Sequence, residues 1–131
     1  MKAIWIEDQD VEIWPVVRRM EREGFSVTVF RKLDSAKPML NDSEGWKLVL
    51  LDSFFPRPDG GAIHSGILLY KELRGGVYGE WGRTVAVVFD TGYQEIVREQ
   101  TKDTGEPPIG ILSKPTNPQH MIDVLRQSKL L

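Results

Sequence analysis

The sequence predicts a doubly wound α/β fold, in which helices cover both faces of a parallel sheet. Five short apolar segments alternate along the chain with segments of helical periodicity. Several of these segments are apolar at successive positions, which is typical of strands that are buried on both faces. The five predicted strands are residues 2–6, 26–30, 47–51, 85–89 and 109–112.

Helical patterns occupy most of the intervals between these strands. The first covers residues 11–23, and Pro15 indicates that this helix begins late or is kinked. The second covers residues 61–74 and ends at a pair of glycines. The last is the best defined, with Asn117 as N-cap and a proline directly after it. Residues 35–41 predict a short helix at most.

The composition is that of an ordinary globular protein and excludes several classes of function. The 131 residues fit one domain, so we expect a single domain over residues 1–131. The net charge of −2 argues against a nucleic-acid-binding surface, and the lack of cysteine excludes disulfides and thiol catalysis. No apolar run has membrane-spanning length, and the first strand leaves no room for a signal peptide. We therefore expect a cytoplasmic protein without membrane or nucleic-acid partners.

Polar residues follow four of the predicted strands at their carboxyl ends. These residues are Glu7, Asp8, Asp52, Asp90, Thr91 and Lys114. The functional crevice of an open α/β sheet lies at this end of its strands. If the strand order is flavodoxin-like, 2-1-3-4-5, the first, third, fourth and fifth strands bring these side chains into one small volume.

Asp52 stands out because the strand before it, which ends in Leu48-Val49-Leu50-Leu51, is so apolar. Burial of an unpaired carboxylate is strongly unfavourable, so Asp52 is expected to emerge into the crevice. Carboxylates that lie close together raise one another's pKa unless a cation neutralises them, and oxygen ligands suit Mg²⁺. With a lysine and a hydroxyl opposite, the pattern predicts a phosphoryl-binding site with a carboxylate as candidate nucleophile.

Taken together, these motifs resemble the receiver domain of two-component response regulators. The motifs are, in chain order, Glu7-Asp8, LVLLDSFFP around Asp52, Thr91-Gly92 and Lys114-Pro115. Each stands at a predicted strand end, and the resemblance covers nearly the whole chain. It implies that Asp52 accepts a phosphoryl group from a phosphohistidine on a sensor histidine kinase or a histidine phosphotransfer protein.

The resemblance also implies how the other site residues act. Asp8 would ligate Mg²⁺ directly and Glu7 through a water molecule. The backbone carbonyl of Phe54 and the phosphoacceptor itself would complete the protein ligands. Thr91 would hydrogen-bond one phosphoryl oxygen, and Lys114 would pair with another. The chain would assist its own phosphorylation and dephosphorylation but would not be an enzyme with a separate substrate.

Three positions depart from the family pattern. Glu7 stands where the family more often has aspartate, and Ile111 stands where it usually has tyrosine or phenylalanine. Asp90 directly precedes Thr91, so the sequence leaves open which of the two side chains points into the phosphate site.

These departures leave more than one interpretation of the chain. The favoured one is a stand-alone receiver that acts as a signalling switch or phosphorelay intermediate, with an unknown downstream protein as partner. The first alternative is a degenerate receiver-like module that binds partners without phosphorylation. The second is a Mg²⁺-dependent phosphohydrolase, which is disfavoured because no second carboxylate follows Asp52 by two residues.

Overall fold

A five-stranded parallel sheet forms the centre of the molecule, in the predicted strand order 2-1-3-4-5. The computed structural model describes residues 1–7, 12–41, 45–53, 55–56, 62–63 and 65–131. All five predicted strands are present, and their ends differ from the prediction by no more than two residues. The strands are β1 (Lys2–Ile6), β2 (Ser26–Phe30), β3 (Trp46–Leu51), β4 (Ala86–Thr91) and β5 (Gly110–Ser113).

Five α-helices of eight to ten residues connect or follow these strands. They are α1 (Trp14–Arg22), α2 (Leu33–Asn41), α3 (Ser65–Arg74), α4 (Gln94–Thr101) and α5 (Pro118–Gln127). The sequence pattern does not predict α4, because this helix buries only Val97 and Thr101 and so has no periodic apolar stripe. None of the helices in the described ranges is long and apolar enough to cross a membrane.

Successive side chains of the central strands pack into two separate cores. Ile4 and Phe89 face α2, α3 and α4 on one side of the sheet. Trp5 and Leu50 face α1 and α5 on the other side. Because both faces are covered, the strands are apolar at neighbouring positions, which is the pattern that the sequence predicted.

The second predicted helix begins later than the sequence indicates. Ala62–Ile63 forms a two-residue strand that pairs antiparallel with Phe55–Pro56, so α3 begins only at Ser65. Ile63 therefore belongs to this short hairpin and not to the apolar face of the helix. Leu68, an apolar residue of α3, is 51% exposed and so lies outside the buried face of the helix.

The first helix begins late, as Pro15 indicates, and the last begins where its N-cap predicts. Pro15 lies in the first turn of α1, where a missing N–H breaks no helical hydrogen bond. The Oδ1 atom of Asn117 accepts hydrogen bonds from the backbone N–H groups of Gln119 at 2.8 Å and His120 at 3.2 Å. This cap fixes the start of α5, directly after the segment that carries Lys114.

Candidate functional site

The carboxyl ends of β1, β3 and β5 bring a lysine between two buried carboxylates. The Nζ atom of Lys114 lies 2.8 Å from Glu7 Oε2 and 3.1 Å from Asp52 Oδ2. Glu7 is 0% exposed and Asp52 is 1% exposed. The backbone N–H of Asp52 donates to the carbonyl of Ile6 at 3.0 Å, so the ladder between β1 and β3 continues to the level of the site. The Lys114–Pro115 peptide bond is cis.

The surroundings of Glu7 favour its protonated form. The net pKa of Glu7 is raised to about 8, because burial and the neighbouring Asp52 carboxylate raise it by more than the contact with Lys114 lowers it. For Lys114, burial lowers the pKa, but its contacts with Glu7 and Asp52 outweigh this effect and the net pKa is raised. The lysine is therefore a cation at neutral pH, and it lies between the Asp52 and Glu7 carboxyl groups.

The chemistry of these donors fits a hard divalent cation such as Mg²⁺. Two buried carboxyl groups offer oxygen ligands, and a divalent cation beside them would favour the deprotonated form of Glu7 against the effect of burial. Among the described residues, no group of three or more His, Cys, Asp or Glu side chains is arranged to hold a metal ion. Asp8 and Phe54, the remaining ligands that the resemblance implies, lie outside the described residues.

Thr91 lies beside the residue that follows Asp52. Its Oγ1 atom is 2.6 Å from Ser53 Oγ and accepts a hydrogen bond from the backbone N–H of Tyr93 at 2.8 Å. Both hydroxyl side chains are 0% exposed. The sequence analysis did not single out Ser53, although a hydroxyl directly after the candidate nucleophile was a usable signal.

Asp90 points to the opposite side of β4 from the Thr91 hydroxyl, towards Thr116 and Glu7. It is 1% exposed, and its Oδ1 atom accepts a hydrogen bond from the hydroxyl of Thr116. Burial raises the pKa of Asp90, while the Thr116 hydrogen bond and the Lys114 charge lower it. Neighbouring side chains of a strand point to opposite faces, so only Thr91 reaches Ser53. Like Ser53, Thr116 is a residue beside the site that the sequence analysis did not single out.

Gly66, near the start of α3, contacts the backbone of the candidate nucleophile directly. A Cβ atom at this position would lie 1.8 Å from the carbonyl oxygen of Asp52 and 2.9 Å from Ser53 Cα. The Gly66 N–H also donates to the carbonyl of Ser53 at 3.1 Å. Only glycine permits this approach, and apolar periodicity gives no sign of it.

Comparison with known proteins gives matches at the level of structure only. No protein-family model matches the chain, and no curated protein matches it either. A response regulator from Desulfuromonas acetoxidans matches with a TM-score of 0.71 at 18% identity, over 99% of this chain and 98% of its own. A signal receiver domain of an HD-domain-containing protein from Pseudomonas fluorescens Pf-5 matches with a TM-score of 0.73 at 18% identity, over 98% and 94% of the two chains.

A third match is a response regulator from Burkholderia pseudomallei that contains a phosphorylated aspartic acid, a calcium ion and citrate. Its TM-score is 0.69 at 20% identity, over 98% of this chain and 69% of that one. The chain has the receiver-domain fold. At sequence identities of 18% and 20%, the likeness extends to the fold alone.

The raised pKa of Glu7 predicts how the stability of the metal-free protein depends on pH. Between its ordinary pKa of 4.5 and its raised value of about 8, the folded state keeps a proton that the unfolded state loses. Stability therefore falls as the pH rises through this range, by about 1.4 kcal/mol per pH unit at most. Urea unfolding with a chelator present, at several pH values, measures this slope.

Glu7→Gln is expected to flatten the slope, because glutamine keeps the size of the side chain and does not titrate. Glu99→Gln is the matched control, since Glu99 pairs with Lys102 on the exposed surface of α4. A parent slope that survives Glu7→Gln would contradict the prediction.

Proposed function

We propose that residues 1–131 form a phospho-accepting receiver domain that acts as a signalling switch or a phosphorelay intermediate. Asp52 receives a phosphoryl group from a sensor histidine kinase or a histidine phosphotransfer protein in a Mg²⁺-dependent reaction. The observation that carries the proposal is the position of Asp52, buried at the carboxyl end of β3 with Lys114 Nζ at 3.1 Å. The phosphorylated aspartic acid of the Burkholderia pseudomallei neighbour supports it.

In the proposed reaction, an Asp52 carboxylate oxygen attacks the phosphorus atom of a phosphohistidine. The new O–P bond forms as the P–N bond breaks, and the imidazole leaves with the electron pair of that bond. Lys114 Nζ, now between Glu7 and Asp52, pairs with a phosphoryl oxygen and offsets the charge of the transferred group. A Mg²⁺ ion held by Asp8, Asp52 and the Phe54 carbonyl, with Glu7 acting through a water molecule, would supply further positive charge for the phosphoryl oxygens.

Phosphorylation changes the hydrogen bonds at the end of β4. The Thr91 hydroxyl is bonded to Ser53 in this structure, so it exchanges that bond for one to a phosphoryl oxygen. Tyr93, whose backbone N–H is bonded to the same hydroxyl, is 43% exposed and lies at the start of α4. The exchange therefore couples the phosphorylated site to a surface that a downstream protein can contact.

Phosphoryl labelling followed by intact-mass measurement tests the proposal. The protein is incubated with Mg²⁺ and a small acyl-phosphate or phosphoramidate donor. We expect the mass to rise by one phosphoryl group, and the gain to disappear when a chelator removes the metal. A folded protein that gains no mass under these conditions would contradict the proposal and favour the module that binds partners without phosphorylation.

A further inference from the structure

The carboxylate of Asp90 is buried beside the site but takes no part in the reaction described above. It belongs to the penultimate residue of β4, an interior strand of the sheet, is 1% exposed, and accepts a hydrogen bond from the Thr116 hydroxyl. A buried carboxylate is unfavourable unless it is hydrogen-bonded, so the Thr116 contact is a strong constraint on both residues.

This contact fixes one end of the segment that carries the lysine. The backbone N–H of Lys114 donates to the carbonyl of Thr91 at 3.2 Å, and two residues later Thr116 donates to Asp90. Asp90 and Thr91, the last two residues of β4, thus hold residues 114–116 at two points. The next residue, Asn117, caps α5. The backbone from Lys114 to Asn117 is therefore held between the end of β4 and the start of α5.

There is little free space behind the lysine in this arrangement. Asp90, Lys114 and Thr116 line one cavity of about 10 Å³ together with Trp5. That volume corresponds to about one water molecule at most. A four-carbon lysine side chain is intrinsically flexible, so its position depends on the backbone and the walls around it.

We propose that Thr116 and Asp90 are positioning residues that hold the Lys114 ammonium where it meets the transferred phosphoryl group. The inference rests on the proposed function, since it assigns a role within that same reaction. Without the Thr116–Asp90 hydrogen bond, the segment from Lys114 to Asn117 loses one of its two attachments to β4, and the lysine more often samples positions outside the site. Phosphoryl transfer then slows because fewer molecules have the lysine in place.

Thr116→Val tests the proposal, because valine has nearly the volume of threonine and lacks the hydroxyl. Thr116 is partly exposed, so the change requires no repacking of the core. We expect the rate of labelling by the small phosphodonor to fall about tenfold, or about 1.4 kcal/mol in the barrier. Thr116→Ser restores the hydroxyl and is expected to recover most of the rate.

Thr101→Val is the matched control for loss of a threonine hydrogen bond. Thr101 is 2% exposed, and its hydroxyl donates to the carbonyl of Val97 at 2.7 Å, within α4. This variant is expected to lose stability in urea unfolding without slower labelling. NMR of the lysine ammonium groups in the unphosphorylated protein gives a second readout, because the Lys114 signal should exchange faster with solvent in Thr116→Val only.

The labelling results separate a failure of the proposed function from a failure of the positioning role alone. If the parent protein is not labelled, the proposed function fails and the inference fails with it. If the parent is labelled and Thr116→Val is labelled at the parent rate, only the positioning role is overturned. It is also overturned if Thr116→Ser remains as slow as Thr116→Val, or if Thr101→Val slows labelling to the same degree.

Discussion

Asp52→Asn is expected to abolish phosphoryl labelling while the protein remains folded. An amide oxygen is a far poorer nucleophile than a carboxylate, so no O–P bond forms at this position. Stability should stay within about 1 kcal/mol of the parent, because asparagine keeps the size of the side chain and Lys114 keeps a second partner. The lysine keeps Glu7 at 2.8 Å. Intact mass after incubation with donor and Mg²⁺ measures the labelling, and urea unfolding measures the stability.

Asp123→Asn is the matched control for this substitution. Asp123 is an exposed carboxylate on α5 that accepts a hydrogen bond from Gln119 at 2.9 Å. It undergoes the same chemical change far from the strand ends, and we expect the parent level of labelling. Equal labelling of Asp52→Asn and the parent would show that another residue is the phosphoacceptor.

Gly66→Ala is expected to destabilise the protein by about 3 kcal/mol, the upper end of the usual range for overpacking. The added Cβ would lie 1.8 Å from the Asp52 carbonyl oxygen. Neither backbone moves easily, since α3 fixes Gly66 and the Asp52 N–H is hydrogen-bonded to the carbonyl of Ile6. From helix propensity alone the same substitution should stabilise α3 by about 1 kcal/mol, so the two effects have opposite signs. Because the clash falls on Asp52, labelling should also decrease.

Gly92→Ala provides the comparison for stability. A Cβ atom at Gly92 would have no neighbour within 4 Å in the part of the chain that the structure describes, and the φ of Gly92 lies outside the left-handed region. We expect its free energy of unfolding to stay within about 0.5 kcal/mol of the parent. If Gly66→Ala proves as stable as Gly92→Ala in urea, the prediction that a Cβ at position 66 clashes with the Asp52 backbone is wrong.

Local sequence patterns determined the sheet, its order of elements and the end of the sheet where the polar residues lie. Short apolar runs encode strands that are buried on both faces, and this signal depends only on neighbouring residues. Asp52 and Lys114 could be selected for the same reason, since Asp52 directly follows such a run and Lys114 lies two residues beyond the end of another. The pattern failed at α4, where Val97 and Thr101 are the only buried side chains of the helix.

Only the tertiary structure decided which side chains of the site contact one another. The sequence left Asp90 and Thr91 as alternatives, and the structure directs Thr91 to Ser53 and Asp90 to Thr116. These pairs are 38 and 26 residues apart along the chain. Neither the hydrogen bonds nor the contact of Gly66 with Asp52 leaves a periodic signal in the sequence. Periodicity specifies which face of a strand or helix is buried, whereas the packing of whole elements determines which atoms meet there.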